Sequence, residues 1–265
     1  MTDISLECTE NLGAAISTLG ERCPIVTDFA SSMSELPHVN TTSGLICRWK
    51  NLCSAWCFVG LNVDAVLHLS LLHYLRCVSF KVHDAVVDRI HSILSPASPT
   101  LTFPALEDLR LFSDYLAPIR RFLRLFRIPE VHDLSVGVDV LPTAPDLMSF
   151  FASLQEACTH ASLNDLVVGH IDSEQNDPGI PVEDASPYNI TFDHLRPLTV
   201  FQNIKTILLD VECGVDLNER ELLRLASSWP HLEHFEVGGE EHSWRESSAI
   251  TPGGFLQLLE RCRSL

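Results

Sequence analysis

FPALEDLRLFS, Phe103 to Ser113, decides how the chain is read, because its apolar residues Leu106, Leu109 and Leu111 fall in the order LxxLxL. The same word recurs at Leu75, Val78 and Phe80; at Val131, Leu134 and Val136; at Leu163, Leu166 and Val168; at Ile204, Ile207 and Leu209; and at Leu232, Phe235 and Val237. Two weaker copies come first, Val26 with Phe29, and Leu52 with Ala55 and Cys57. Pro24, Pro104, Pro129 and Pro230 each stand two places before a first anchor and mark where a strand begins. First anchors are spaced by roughly 23 to 41 residues, against about 20 to 29 for a leucine-rich repeat.

The last two anchors of each word are two residues apart, so they share one face of a short strand. Such a strand cannot bury that face alone. The copies must stack as parallel neighbours over one core, with helical crossovers between them. The sequence therefore predicts an α/β fold: a single leucine-rich repeat solenoid over 1–265, an arc of about eight irregular repeats with parallel strands concave and helices convex. A polar loop is expected as an insertion over 171–190, IDSEQNDPGIPVEDASPYNI, where the interval between anchors is longest.

Taken in order, Ile4, Leu12, Ile16 and Leu19 suit a helix, Ser31 to Gly44 reads as a polar connection, and Cys47 to Phe58 holds the second strand word. Helices are expected from about Val63 to Leu72 and from about Asp84 to Leu94, the latter with Ala85, Ile90 and Leu94 inward. Leu116, Ile119, Phe122, Leu123 and Phe126 recur at helical spacing, with Arg120, Arg121, Arg124 and Arg127 between them; that set reads as a solvated convex face or as an anion patch. Pro145 and Asp146 open another helix, Asn218 with Glu221 forms a capping box for ERELLRLASSW, and Thr251-Pro252 starts the last helix.

Hydrophobic residues make up 46% of the chain, ample for a core, and the net charge of −17 argues against a nucleic-acid backbone as partner. The nine cysteines include no CxxC pair, and the loose set Cys47, Cys53, Cys57, His68 and His73 lacks the tight spacing of a structural zinc site, so neither metal nor cofactor is expected. MTDISLECTE lacks a basic segment followed by an apolar run, and Val66 to Leu75 is interrupted by His68, Ser70 and His73. The expected setting is the cytosol or nucleus, with no membrane partner. His83-Asp84, His132-Asp133 and His160 near Cys158 can be read as acid/base or thiol pairs, but no nucleophile elbow or phosphate loop frames them, and an enzyme is the least favoured reading.

The module DLNERELLRLASSWPHLEHFEVGGEE followed by ITPGGFLQLLERCRSL resembles the leucine-rich repeat region of the F-box-like proteins of mushroom-forming fungi, as do WKNLCSAWCF and VLHLSLLHYLRCVSF. There a helix ending in Trp-Pro leads into a Leu-anchored strand, and the next helix starts at a threonine. The resemblance implies substrate recognition for a ubiquitin ligase. The F-box segment with its LPxE-like word has no counterpart here, since ELPH at Glu35 to His38 stands alone. A Skp-family adaptor is therefore expected as a partner only through an F-box supplied elsewhere, and truncation at both ends is an expectation.

Residues between the anchors alternate onto the concave face, which in solenoids is the extended binding surface. The candidates there are Trp56, Phe58, Asp108, Arg110, Phe112, Asp133, Asp165, Asp210, His234 and Glu236. An acidic row with aromatic spots predicts a non-catalytic protein-binding module whose partner carries a basic or mixed segment, with Trp56 and Phe112 as apolar anchors. The alternatives are that the acids serve solubility alone, or that the chain is an adaptor-independent scaffold or a vestigial repeat protein.

Overall fold

The computed structural model describes residues 3–6, 22–23, 25–31, 39–94, 100–171, 186–211, 213–238 and 250–265. Nine strands lie side by side in one all-parallel sheet, in the order in which they occur along the chain. They are β1 (Asp3–Leu6), β2 (Asp28–Ser31), β3 (Ser54–Gly60), β4 (Cys77–Lys81), β5 (Asp108–Ser113), β6 (Asp133–Val138), β7 (Asp165–His170), β8 (Thr206–Asp210) and β9 (His234–Val237). Helices connect them: α1 (Val39–Ile46), α2 (Val63–Ser70), α3 (Asp84–Ile93), α4 (Leu116–Leu125), α5 (Ala144–Ala157), the short α6 (Phe192–Leu195), α7 (Glu219–Ser228) and, after β9, α8 (Pro252–Arg261).

The LxxLxL words account for this order. The second anchors meet across the sheet in one register, Val78 beside Leu109, Leu109 beside Leu134, Leu134 beside Leu166, and Leu166 beside Ile207, and none is more than 1% exposed. Each fully buried side chain of this kind stabilises by about 1.5–3 kcal/mol relative to exposure. The first anchors Leu52, Leu75, Leu106, Val131, Leu163, Ile204 and Leu232 are buried as well. Just after them the backbone continues the pairing: Arg76 N–H donates to Cys53 O at 2.8 Å, Glu107 N–H to Arg76 O at 2.8 Å, His132 N–H to Glu107 O at 2.8 Å and Asn164 N–H to His132 O at 2.9 Å. Register is thus set before each strand starts.

Beneath FPALEDLRLFS the core is aromatic. The Phe122 ring stacks on Phe126 with centroids 4.3 Å apart, and Phe103 and Phe80 close on these rings at 5.2 and 5.6 Å. Two buried tryptophans serve as pins at helix ends: Trp49 Nε1 donates to Cys23 O at 2.9 Å and Trp229 Nε1 to Leu198 O at 3.1 Å. The capping boxes sit where the side chains can supply them, Thr143 with Asp146 on α5 and Asn218 with Glu221 on α7.

Several expectations are corrected. Ile4 lies in β1, a ninth strand, rather than in a helix, while Leu12, Ile16 and Leu19 lie outside the described residues. Val39–Ile46 is helical where a polar connection is expected; burial of Thr42, Ser43, Leu45 and Ile46 outweighs the weak helix propensity of Asn, Thr, Ser and Gly. Of Cys47 to Phe58 only the residues from Ser54 onward are extended. On α3 it is Val87 and Ile90 that are buried, and Ala85 is exposed. Within 171–190, residues 172–185 lie outside the described residues, but the end of that stretch is ordered: Ser186–Tyr188 form a 3-10 turn and Ile190–Thr191 pair in parallel with Val215–Asp216. Arg121 on α4 ion-pairs with Asp84 at 2.8 Å and with Asp88, and Arg124 Nε donates to Ser153 Oγ at 3.2 Å, so both arginines tie helices together.

Candidate functional site

Alternation leaves the second face of the sheet to the residues between the anchors. All of them on β2 to β9 are exposed or half-exposed except Gly60, Ser79 and Gly137. Register arranges them in rows. One row runs Ser54, Cys77, Asp108, Asp133, Asp165, Thr206, His234, and the next runs Trp56, Ser79, Arg110, Ser135, Val167, Leu208, Glu236.

Nine of the ten sequence candidates fall into three groups on this face, and Asp210 stands apart from them. Around β3 to β5, the Arg110 guanidinium lies 4.4 Å over the Trp56 ring and donates through Nε and Nη2 to both oxygens of Asp108, at 3.3 and 3.2 Å. Phe58, 58% exposed, stacks on Phe112 with centroids 6.0 Å apart. Both contacts pass over β4, and Ser79 between Trp56 and Arg110 is small enough to allow the first. The second group is Asp133 with Asp165, directly in register on β6 and β7. Burial first, then the hydrogen bond and charge of Asp165 and the charge of Asp108, hold the Asp133 carboxyl above its usual range. The third group is His234 with Glu236, 3.1 Å apart on β9. Asp210 stands exposed at the end of β8. With strands about 4.8 Å apart, β3 and β9 are separated by roughly 29 Å, so Trp56 and Glu236 cannot contact one small ligand together.

Residues outside the candidate set complete the surface. Lys81 Nζ bridges Asp114 at 2.6 Å and Asp139 at 3.0 Å, and with Phe58, Gly60 and His83 it lines a cleft of about 220 Å³. The Lys81 hydrogen bond, opposed in part by burial, holds Asp114 below the usual carboxylate range. The signal available for this cluster is an aspartate just past the strand, as in LFSD and VGVD. Ile171, 39% exposed, leans over Gly137 beside Phe112; a Cβ on Gly137 would stand 2.6 Å from Ile171 Cδ1 and 2.9 Å from Phe112 Cδ1. A larger apolar cleft of about 850 Å³ opens beyond β9, lined among others by Phe235, Pro252, Phe255 and Leu258.

Three of the thiols are deeply set, and two of the histidines contact backbone carbonyls. Burial pushes the Cys57, Cys158 and Cys213 thiols up to about 12, the opposite of what a nucleophile needs. His160 Nε2 lies 3.3 Å from Gln155 O and His68 Nε2 3.0 Å from Trp49 O. Among the described residues no three or more His, Cys, Asp or Glu side chains are grouped to hold a metal ion, and no helix is long and apolar enough to cross a membrane. No family model and no curated protein matches the sequence.

Proposed function

We propose that the chain is a leucine-rich-repeat arc with its strands on the concave side, acting as a non-catalytic protein–protein interaction module in the cytosol or nucleus. In this reading it resembles the substrate-recognition part of an F-box ubiquitin-ligase adaptor, and the open face of the sheet is the contact surface. The observation that supports it most is that Trp56, Phe58 and Phe112 stand on one sheet face, Phe58 at the irregularity of β3 between Trp56 and Gly60, and that this face leaves them partly or largely exposed, rather than in the core. Aromatic side chains in such positions supply large contact area at low entropic cost and dominate interface energetics.

The test is an affinity capture from a fungal lysate, with mass-spectrometric identification, of the full chain beside a W56A/F112A variant shown to be folded by circular dichroism. Proteins held by the unmodified chain and lost from the variant are the expected result. Capture of the same set by both would remove the open face from the reading, and recovery of a Skp-family adaptor with a cullin would place the chain in a ligase.

A further inference from the structure

Charge on the central open face is answered from within except at two neighbouring acids. Across β4 to β7 that face carries Lys81, Asp108, Arg110, Asp133 and Asp165 as its ionisable residues besides Cys77. Lys81 is taken by Asp114 and Asp139, and Asp108 by Arg110. Asp133 and Asp165 have no such cation: among the described residues no Lys or Arg lies within ion-pair distance of either, and besides Asp165 the carboxyl of Asp133 feels Asp108 and, in the opposite sense, His132. Two acids side by side, in register on neighbouring strands and one of them held above its usual range by burial and then by the other, gain from a cation.

The rest of β6 is shaped to admit a chain. From Asp133 it continues outward with Ser135 and Gly137, the two smallest consecutive outward positions on the face, while β5 beside it carries Arg110 and Phe112 and β7 carries Val167 and then Gly169. At Ser135, β6 is thus the floor of a trough between Arg110 and Val167, and at its end Ile171 and Phe112 close over the buried Gly137. Its far end is apolar, where Ile171 and Phe112 flank Gly137 and Phe58 stacks behind. From Asp133 to Gly137 is four residues, about 13 Å at the rise of a strand.

We propose that this trough receives an extended protein segment carrying a lysine or arginine four residues from a large apolar side chain, the cation seated between Asp133 and Asp165 and the apolar group against Phe112, Phe58 and Ile171. The proposal rests on the interaction-module reading above and gives its partner a chemistry. Charge complementarity sets the cationic end, and the length of the trough sets the spacing. Arg110 stays on Trp56 and Asp108 and forms one wall.

The experiment pans a phage-displayed library of random nine-residue peptides against the immobilised full chain, then measures enriched peptides by fluorescence anisotropy against the full chain, D133N/D165N and F112A. Enrichment of peptides with Lys or Arg four positions from Leu, Ile, Met or an aromatic is expected, with affinity weakened about tenfold by either variant. D133N/D165N removes a like-charge contact and is expected to melt no lower than the unmodified chain, so lost binding would not reflect lost fold. Enriched peptides that lack the basic residue, or that bind D133N/D165N unchanged while F112A abolishes binding, would overturn this inference and leave the interaction module standing. Failure of any peptide to enrich over bare support would count against both.

Discussion

Leu109 and Phe112 are three residues apart on β5 and face opposite ways, so truncating each measures which side of the sheet is core. Leu109 is 0% exposed, between Val78 and Leu134 in register. Leu109→Ala removes a fully buried side chain and leaves a cavity among neighbours that are themselves 0–1% exposed, which costs about 3 kcal/mol and falls in the 2–5 kcal/mol range of such changes. Phe112 is half-exposed, and its main ring partner is Phe58, itself 58% exposed. Phe112→Ala loses that stack and part of its burial, about 1 kcal/mol. Urea unfolding followed by far-UV circular dichroism gives both values, and an unchanged slope with urea shows that the transition itself is the same. Equal losses for the two variants would refute the assignment of faces, and with it the use of Phe112 as a binding probe that leaves the fold intact.

Alkali should destabilise the protein before its lysines titrate. Three thiols ionise only near pH 12 when folded but near 9.0 in the unfolded chain, so between these values the unfolded state holds fewer protons and stability falls as pH rises. The slope approaches about 1.4 kcal/mol per pH unit for each thiol; urea melts under reductant between pH 8 and 10 should show it, with Cys158→Ala removing one thiol's share, and a flat profile would contradict the burial of these thiols. Asn218→Ala should cost about 1 kcal/mol, because Asn218 Oδ1 accepts from Glu221 N–H at 3.1 Å and Glu221 returns the bond at 3.0 Å; thermal melting checks it, and no change would mean that the cap adds nothing to α7.

The parts of the fold legible in the sequence are those fixed by short-range pattern. LxxLxL gives strand position and inward face, so the second-face residues follow by alternation, and Asn218 with Glu221 or Thr251 with Pro252 marks a helix start through groups only three residues apart or fewer. What escaped depends on distant partners. Strand β1 lacks the full word and is specified by its pairing with Asp28–Ser31. Helix α1 is built from Thr, Asn, Ser and Gly, and is held by burial and by Ser43 Oγ accepting from Asn62 N–H at 2.9 Å. The neutralisation of Asp108 by Arg110 lies within one strand and could have been read from DLR, but the stacking of that arginine on Trp56 needs the register of two strands with Ser79 between them.

That stacking changes what the acidic row can do. Read from alternation alone, Asp108, Asp133 and Asp165 are equivalent. In the fold they are not. A cation binding Asp108 would have to displace Arg110, giving up a two-point ion pair and its contact with Trp56, and so would gain little net energy. A cation at Asp133 and Asp165 displaces no bond to a protein cation and relieves repulsion that already exists. The two ends of the trough are separated by about 13 Å and share no side chain, so their contributions to binding should add. Combining F112A with D133N/D165N should therefore weaken a trough-bound peptide by the product of the separate factors, whereas a combined loss no greater than either alone would show that both variants act by disturbing one shared structure rather than two ends of one ligand.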